Sequence, residues 1–449
     1  MDNNNTNVKD GADKVAGRDQ VQEAAKNLFD DFAKTAKVGE QQLAQATTNP
    51  VAAPRTLDRP TGLVVVPPYL LREMANRNPN NKSFAETLNK TEEMLTPKAA
   101  VEPSVVDDQG KIEVYDAKGK EVHPGDKARF EGEPAIGDVE VDNTYDYAKS
   151  AREFYKDVLN RNSIDDKGMK MISTVNYGDN YENAFWNGSQ MTYGRPGKDS
   201  PFKSFVLEDV AGHEVTHGVI EKVSGMIYWG QSGALNEHVA DVFGELMQQK
   251  RKGITADKAD WMIGDGLWKD HIKAADGVSP SGLRNMLNPG TAYNDASVGK
   301  DPQPGHMKDY VQTWGDNGGV HYNSGIPNRA FATFAIAVGG NAWEKPGQIW
   351  YEALKNAGNN PSFQQFAQHT IDAANKLGYT GEVAKLQKAW EDVGITPSAK
   401  ALDNITPGAA EKREQLEQLQ KDGQKPDHDH DHDHGPVQRG SVPRARKAA

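Results

Sequence analysis

The 449-residue chain contains no cysteine. Disulfide staples and thiolate metal sites are therefore excluded, and any bound metal must be held by His, Asp, Glu or carbonyl oxygen. No stretch approaches the roughly 18 consecutive apolar residues that span a bilayer, so no membrane partner is expected. Positive charge is in deficit, with 52 Lys and Arg against 64 Asp and Glu. The net charge of −12 argues against nucleic acid or an anionic surface as the main partner. The opening MDNNNTNVKDGADK lacks the cationic head and apolar stretch of a secretory signal. A cytoplasmic product is expected, or one exported by a route without a signal peptide. Hydrophobic residues amount to only 36%, low for a wholly globular chain, so part of the length should be solvated tail.

What is present divides into segments. Residues 1–56 read as a weakly ordered leader, although Val21, Ala25, Leu28 and Phe32 repeat at helical spacing. In the short unit 57–108, Leu63 to Val66 suits a strand and Pro67–Pro68 force an extended backbone. Leu70, Leu71 and Met74 then begin a helix, followed by a polar stretch from about Ser83 to Asp108. From 109 to 225 the signals are mostly β: IEVYDA, KARFEG and MISTVNYG alternate, interrupted by a helix with Ala148, Ala151, Phe154 and Tyr155 on one face. From 226 to 396 helical period dominates, as in Phe363, Phe366, Ala367, Thr370 and Ala374, or Val383, Leu386, Trp390 and Val393. A β-rich half followed by a helical half is an α+β, two-domain architecture. Residues 397–449 read as a disordered tail. Its His428, His430, His432 and His434 alternate with aspartates and suit either weak metal capture or plain solvation.

The chemistry sits in GHEVTHGV. On a helix, His213 and His217 project from one face a turn apart, and neutral imidazole suits zinc. Glu214 follows the first ligand and can reach a water without ligating the metal. Further on, GALNEHVADVFGEL places Glu237 and Asp241 four apart on a second helical face. Glu237 completes a three-ligand site with an open fourth position, and Asp241 can orient an imidazole from behind.

HEVTH with NEHVAD at this distance resembles the thermolysin family of metallopeptidases. NAFWNGSQMTYG, GLRNM and DNGGVHYNSGI extend the likeness, in order, over about Tyr115 to Ile395. The resemblance implies a two-domain fold with the zinc site in the cleft between the halves, and an endopeptidase acting on proteins and peptides; a monomer is expected. Glu214 would be the base acting on a zinc-bound water. His321 and Tyr228 would stabilise the oxyanion, with Asp316 orienting His321. Asn183 and the carbonyl of Ala184 would hold substrate backbone, and Arg284 would bond the carbonyl beyond the cleaved bond. Val210, Ile263 and Leu283 would line a primed-side pocket, so cleavage before a large hydrophobic residue is expected. Calcium is implied too, at Asp209, Asp260, Asp265 and Gln248. Gln248 and Met262 replace acids of the family pattern, so one ion is expected rather than a pair. VPPYLL within a short leader is similar to the prosegment of the protealysin-like branch. It implies a zymogen whose own prosegment plugs the cleft, cut between about Val101 and Val114. A binding protein on a dead protease scaffold would require a missing catalytic group, and none is missing. A secreted, toxin-like effector is the third reading, and cell fractionation separates it from a resident enzyme.

Overall fold

A computed structural model describes residues 59–96, 98, 109–277 and 281–400. The leader stripe from Val21 to Phe32, most of the expected processing interval and the His/Asp tract lie outside these residues. The described chain enters with β1 (Leu63–Val64), α1 (Pro68–Arg77) and α2 (Ser83–Leu95). Pro67 is extended as expected, but Pro68 is not: it is the first residue of α1, where its fixed φ suits the helix and its missing N–H belongs to the unbonded first turn. The strand is shorter than the expected Leu63–Val66 because Val65 and Val66 run past the sheet edge. There they bond to the Ala184 carbonyl and to the Asn183 side chain. The stretch from Ser83, expected as merely polar, forms α2 instead. Phe84 and Leu95 are buried at its ends, and between them Thr87 and Thr91 turn their hydroxyls to Glu182 N and Asn183 Nδ2. That face is satisfied by hydrogen bonds, which hydrophobic spacing does not register.

The β-rich half holds β2 (Ile112–Asp116), β3 (Asp126–Phe130), α3 (Val139–Leu159), β4 (Met171–Asp179), β5 (Ala184–Trp186) and β6 (Met191–Arg195). The six-stranded sheet runs in the order β1-β5-β6-β4-β2-β3. β2 and β4 pair in parallel, as do β4 and β6, whereas β5 pairs antiparallel with both β6 and β1. Thus β1 adds itself to the free edge of β5, in the register Leu63 to Trp186 and Val64 to Phe185. Ala148, Ala151, Phe154 and Tyr155 face the core from α3, as their spacing predicts.

Helix α4 (Glu208–Val223) closes the first half, and the helical half opens with α5 (Gly230–Lys252), then the short pair β7 (Met262–Ile263) and β8 (Arg284–Asn285). It closes with α6 (Gly315–Asn323), α7 (Gly325–Val338), α8 (Lys345–Asn356), α9 (Phe363–Lys376) and α10 (Val383–Glu391). A layer of Trp350, Trp390, Phe331, Phe334 and Phe366 joins these helices, with the two indoles stacked at 5.8 Å. The expected α+β architecture is the one observed. Its functional consequence lies where α4 crosses α5. A Cβ on Gly244 would stand 2.5 Å from the Asp209 carbonyl oxygen, and one on Gly212 would stand 2.8 Å from Gly244 Cα. Only glycine at both positions lets the helices approach this closely, and that approach brings the two motif faces together.

Candidate active site

Four residues of α4 and α5 meet at the crossing, all fully buried: His213, His217, Glu237 and Asp241. His213 Nε2 and His217 Nε2 are 3.0 Å apart, and each lies 3.5 Å from a Glu237 oxygen. Among the described residues, these three form the one His/Asp/Glu group whose donor atoms converge, all within 4.8 Å. The opposite ring nitrogens are occupied. His213 Nδ1 donates to Asp241 Oδ1 at 2.9 Å, and His217 Nδ1 donates to Asn236 Oδ1 at 2.8 Å. In the neutral tautomer that donates through Nδ1, each ring presents an Nε2 lone pair, turned toward the other and toward a carboxylate. Burial holds the pKa of His217 down, to about 3, so it is neutral. Glu237 Oε2 has no hydrogen-bond partner. Lone pairs facing lone pairs in a dry interior are costly unless a cation lies between them, and two neutral imidazoles with one carboxylate are a zinc donor set. The residues fit the metal.

Glu214 follows on the same helix, fully buried, with neither carboxylate oxygen hydrogen-bonded. Burial first, and Glu237 next, push its pKa well above the carboxylate range. Such a group readily takes and keeps a proton. Behind the ligands, Asp241 also receives Arg284 in a two-pronged pair, Nε to Oδ2 and Nη2 to Oδ1, both at 2.8 Å, and accepts Asn328 Nδ2 at 2.9 Å. Burial alone would raise the Asp241 carboxyl, but Arg284 and His213 hold it far below its usual range.

Tyr228 lies two residues before α5, and its hydroxyl donates to Glu237 Oε1 while lying 3.3 Å from His321 Nε2. His321 comes from α6 through an unusual turn. Asp316, Asn317, Gly318 and Gly319 all have positive φ, from 48° to 80°. That left-handed run explains the composition DNGG, since Asp, Asn and Gly tolerate it best. It lets Asp316 fold back on His321, with Oδ2 accepting the His321 amide at 2.9 Å and Oδ1 the ring Nδ1 at 2.6 Å. Burial would lower His321, but Glu237 and Asp316 outweigh it and hold its pKa up to about 9. His321 is thus a charged donor at neutral pH.

The partner of that donor is the chain's own N-terminal unit. The Val64 carbonyl accepts from His321 Nε2 at 3.0 Å, and the Val65 carbonyl accepts from Arg284 Nη1 at 2.9 Å. The Val65 amide donates to the Ala184 carbonyl at 3.1 Å. Asn183 takes both backbone groups of Val66, its Oδ1 accepting N–H at 2.8 Å and its Nδ2 donating to C=O at 3.0 Å. Val64, Val65 and Val66 are wholly buried, and Tyr69 lies against Tyr322 with ring centroids 4.2 Å apart.

Of the remaining expected residues, Val210, Ile263 and Leu283 are buried in the same core cluster as Val65. The calcium candidates share a neighbourhood but do not converge as His213, His217 and Glu237 do. Asp209 accepts the amides of Val210 (2.8 Å) and Gly264 (2.6 Å), Asp260 accepts that of Met262, and Gln248 Oε1 accepts Lys252 Nζ at 2.8 Å. Burial holds Asp209 up to about 7, with Asp265 adding to the rise. Sequence reasoning missed Glu245, which lies among these acids. One of its oxygens is unpartnered, and burial followed by Asp260 pushes it up to about 8. The spacing 237, 241, 245 along one helix face was the available signal. Asn236 and Asn328, which hold His217 and Asp241, carry no comparable mark.

Comparison with known proteins places the chain in one family. A profile described as "Thermolysin metallopeptidase, catalytic domain" matches residues 82–221, and "Thermolysin metallopeptidase, alpha-helical domain" matches 224–395. The "Extracellular metalloprotease" of Pectobacterium carotovorum subsp. carotovorum is 44% identical over 341 residues, covering 74% of this chain and 96% of the relative. "Protease PrtS" of Photorhabdus sp. (strain Az29) is 44% identical over 347 residues, 74% of this chain and 91% of its own length. Among solved structures, "Precursor of Protealysin, Metalloproteinase from Serratia proteamaculans" superposes with a TM-score of 0.67 at 43% identity. That match covers 74% of this chain and all of the other.

Proposed function

Because the chain belongs to the thermolysin family of metallopeptidases, and to its protealysin-like branch, we propose that the residues gathered at the α4–α5 crossing divide the labour of peptide hydrolysis as follows. The protein is a zinc-dependent endopeptidase made as a precursor. His213, His217 and Glu237 would hold the zinc, which when bound polarises the scissile carbonyl and acidifies water. Glu214 takes a proton from the attacking water and passes it to the leaving amine. Tyr228 and His321 donate to the carbonyl oxygen as it gains negative charge, with Asp316 keeping the His321 ring aimed and protonated. Asp241 and Asn236 fix the two ligand imidazoles. Asn183, the Ala184 carbonyl and Arg284 bind substrate backbone on the departing side. A first residue there meets the apolar surroundings of Val210, Ile263 and Leu283, so cleavage on the amino side of large hydrophobic residues follows.

The buried, unpartnered carboxylate of Glu214 beside converging Nε2 lone pairs carries this reading. Its test is casein hydrolysis by wild type and Glu214→Ala, with and without phenanthroline. Wild type should cleave, chelator should stop it, and the variant should be inactive. Full activity in the variant would refute the assignment. Residues 57–108 are the prosegment in this reading, and they inhibit by filling the cleft. One relative's name places it outside the cell, and the same destination is proposed here. The enzyme acts as a monomer. Among the described residues no helix is long and apolar enough to cross a membrane. A single calcium at the Asp209, Asp260, Asp265 and Glu245 neighbourhood, beside Gln248, is supported by two of its acids, Asp209 and Glu245, being fully buried with, among the described residues, no cationic side chain against them other than Lys252 nearby. It requires those acids to draw closer than they stand.

A further inference from the structure

We infer that the Val64–Val65 peptide bond is an internal substrate of the enzyme's own site, held in cutting register and hydrolysed there. The inference rests on the residue roles proposed above and reads each contact against them. The carbonyl bonded by His321, the oxyanion donor, is that of Val64. The carbonyl bonded by Arg284, which takes the carbonyl one residue beyond the cleaved bond, is that of Val65. The bond between those carbonyls is Val64–Val65. Three independent contacts fix the same register: Val65 N–H on the Ala184 carbonyl, and Val66 N–H and C=O on Asn183. Direction agrees as well, since β1 lies antiparallel on the edge strand β5, with Val64 opposite Phe185. A slip of one residue along β1 would turn every side chain to the opposite face and break all of these pairs. The residue after the bond, Val65, is apolar and wholly buried, as the expected preference requires.

A plug laid merely across a cleft has no reason to satisfy each substrate-binding group with its designated backbone atom. The cut balances simply: water adds across the amide, hydroxyl goes to the Val64 carbonyl carbon, the C–N bond breaks, and Val65 leaves as an amine carrying a proton relayed by Glu214. The structure also explains why the prosegment still inhibits. The piece starting at Val65 stays tied through Arg284 and Asn183, through α1 by Arg77 and Asn78 on the carbonyls of Ala296 and Ser297, and through α2 by Thr87 on the Glu182 amide. Scission is therefore followed by slow release, and the cut ends remain in place.

The test incubates full-length wild type, Glu214→Ala, Val65→Leu and Val65→Gly in zinc-containing buffer made with oxygen-18 water, then maps termini by mass spectrometry. Wild type and Val65→Leu should yield a peptide ending in Val64 with oxygen-18 in its new carboxylate, and a partner beginning at residue 65. Glu214→Ala should yield neither. Val65→Gly, which empties the apolar pocket, should form them roughly tenfold or more slowly. A wild-type preparation that cleaves casein and sheds its prosegment with Val64–Val65 intact overturns this inference alone. One that cleaves neither casein nor this bond overturns the parent assignment together with it.

Discussion

Replacing Asn183 by Ala isolates the backbone clamp on the departing side of the substrate. In the structure this side chain satisfies the N–H and C=O of Val66, the second residue beyond the bond proposed to be cut, at 2.8 and 3.0 Å, in a wholly buried setting. A net contribution of about 1–1.5 kcal/mol per hydrogen bond gives roughly 2–3 kcal/mol for the pair. At about 1.4 kcal/mol per factor of ten, that is roughly a 30- to 150-fold loss in kcat/KM. Two substrates make the argument specific. One extends two residues past the cut, and the other ends in a methyl ester after the first, so that it offers neither group to Asn183. Asn183→Ala should cost the long substrate the full factor and the short one less than about threefold, an interaction energy read as a double-mutant cycle. Equal losses on both substrates would mean that Asn183 shapes the edge strand rather than binding the substrate, and the register derived from Val66 would fall.

Asp241→Ala should leave Arg284 buried without its partner and free the His213 ring. A loss of about 3–5 kcal/mol in denaturant stability is expected, with about 10- to 100-fold weaker zinc retention in chelator competition. Tyr228→Phe removes one oxyanion donor and should lower kcat by roughly 10²-fold with KM little changed. Glu245 has an ordinary value of 4.5 and is held near 8 in the folded chain. The folded state therefore keeps a proton that the unfolded state releases between these values, and stability falls as pH rises from about 4.5 to 8, by at most roughly 4–5 kcal/mol from this group. Melting temperature should drop between pH 6 and 8.5, and Glu245→Gln should flatten that slope. Millimolar calcium that restores the melting temperature at pH 8.5 would identify the cation this cluster accepts, and no response would rule calcium out there.

The grouping of the proposed zinc ligands was legible because helical spacing is rigid. Residues four apart share a face, and two such faces, His213 with His217 and Glu237 with Asp241, need only a close crossing, which Gly212 and Gly244 supply. The core helices were legible for the same reason, as Phe363, Phe366, Ala367, Thr370 and Ala374 of α9 are all buried. Helix α2 escaped notice because between Phe84 and Leu95 its inner face is made by Thr87 and Thr91 rather than by large apolar groups. Position mattered elsewhere. Nothing in GLVVVPP reveals that the Val64 and Val65 carbonyls meet His321 and Arg284, since those partners lie 257 and 219 residues away along the chain. Asn236 and Asn328 were invisible because a buried amide that orients a ligand looks, in sequence, like any other polar residue.

Zinc content per chain, measured by elemental mass spectrometry on wild type, Glu237→Ala and Glu214→Ala after exhaustive dialysis, tests the central geometry most directly. One zinc in wild type, one in Glu214→Ala and almost none in Glu237→Ala is the predicted pattern, because Glu237 grips the ion and Glu214 only works beside it. A full complement of zinc in Glu237→Ala, or none in wild type, would contradict the account.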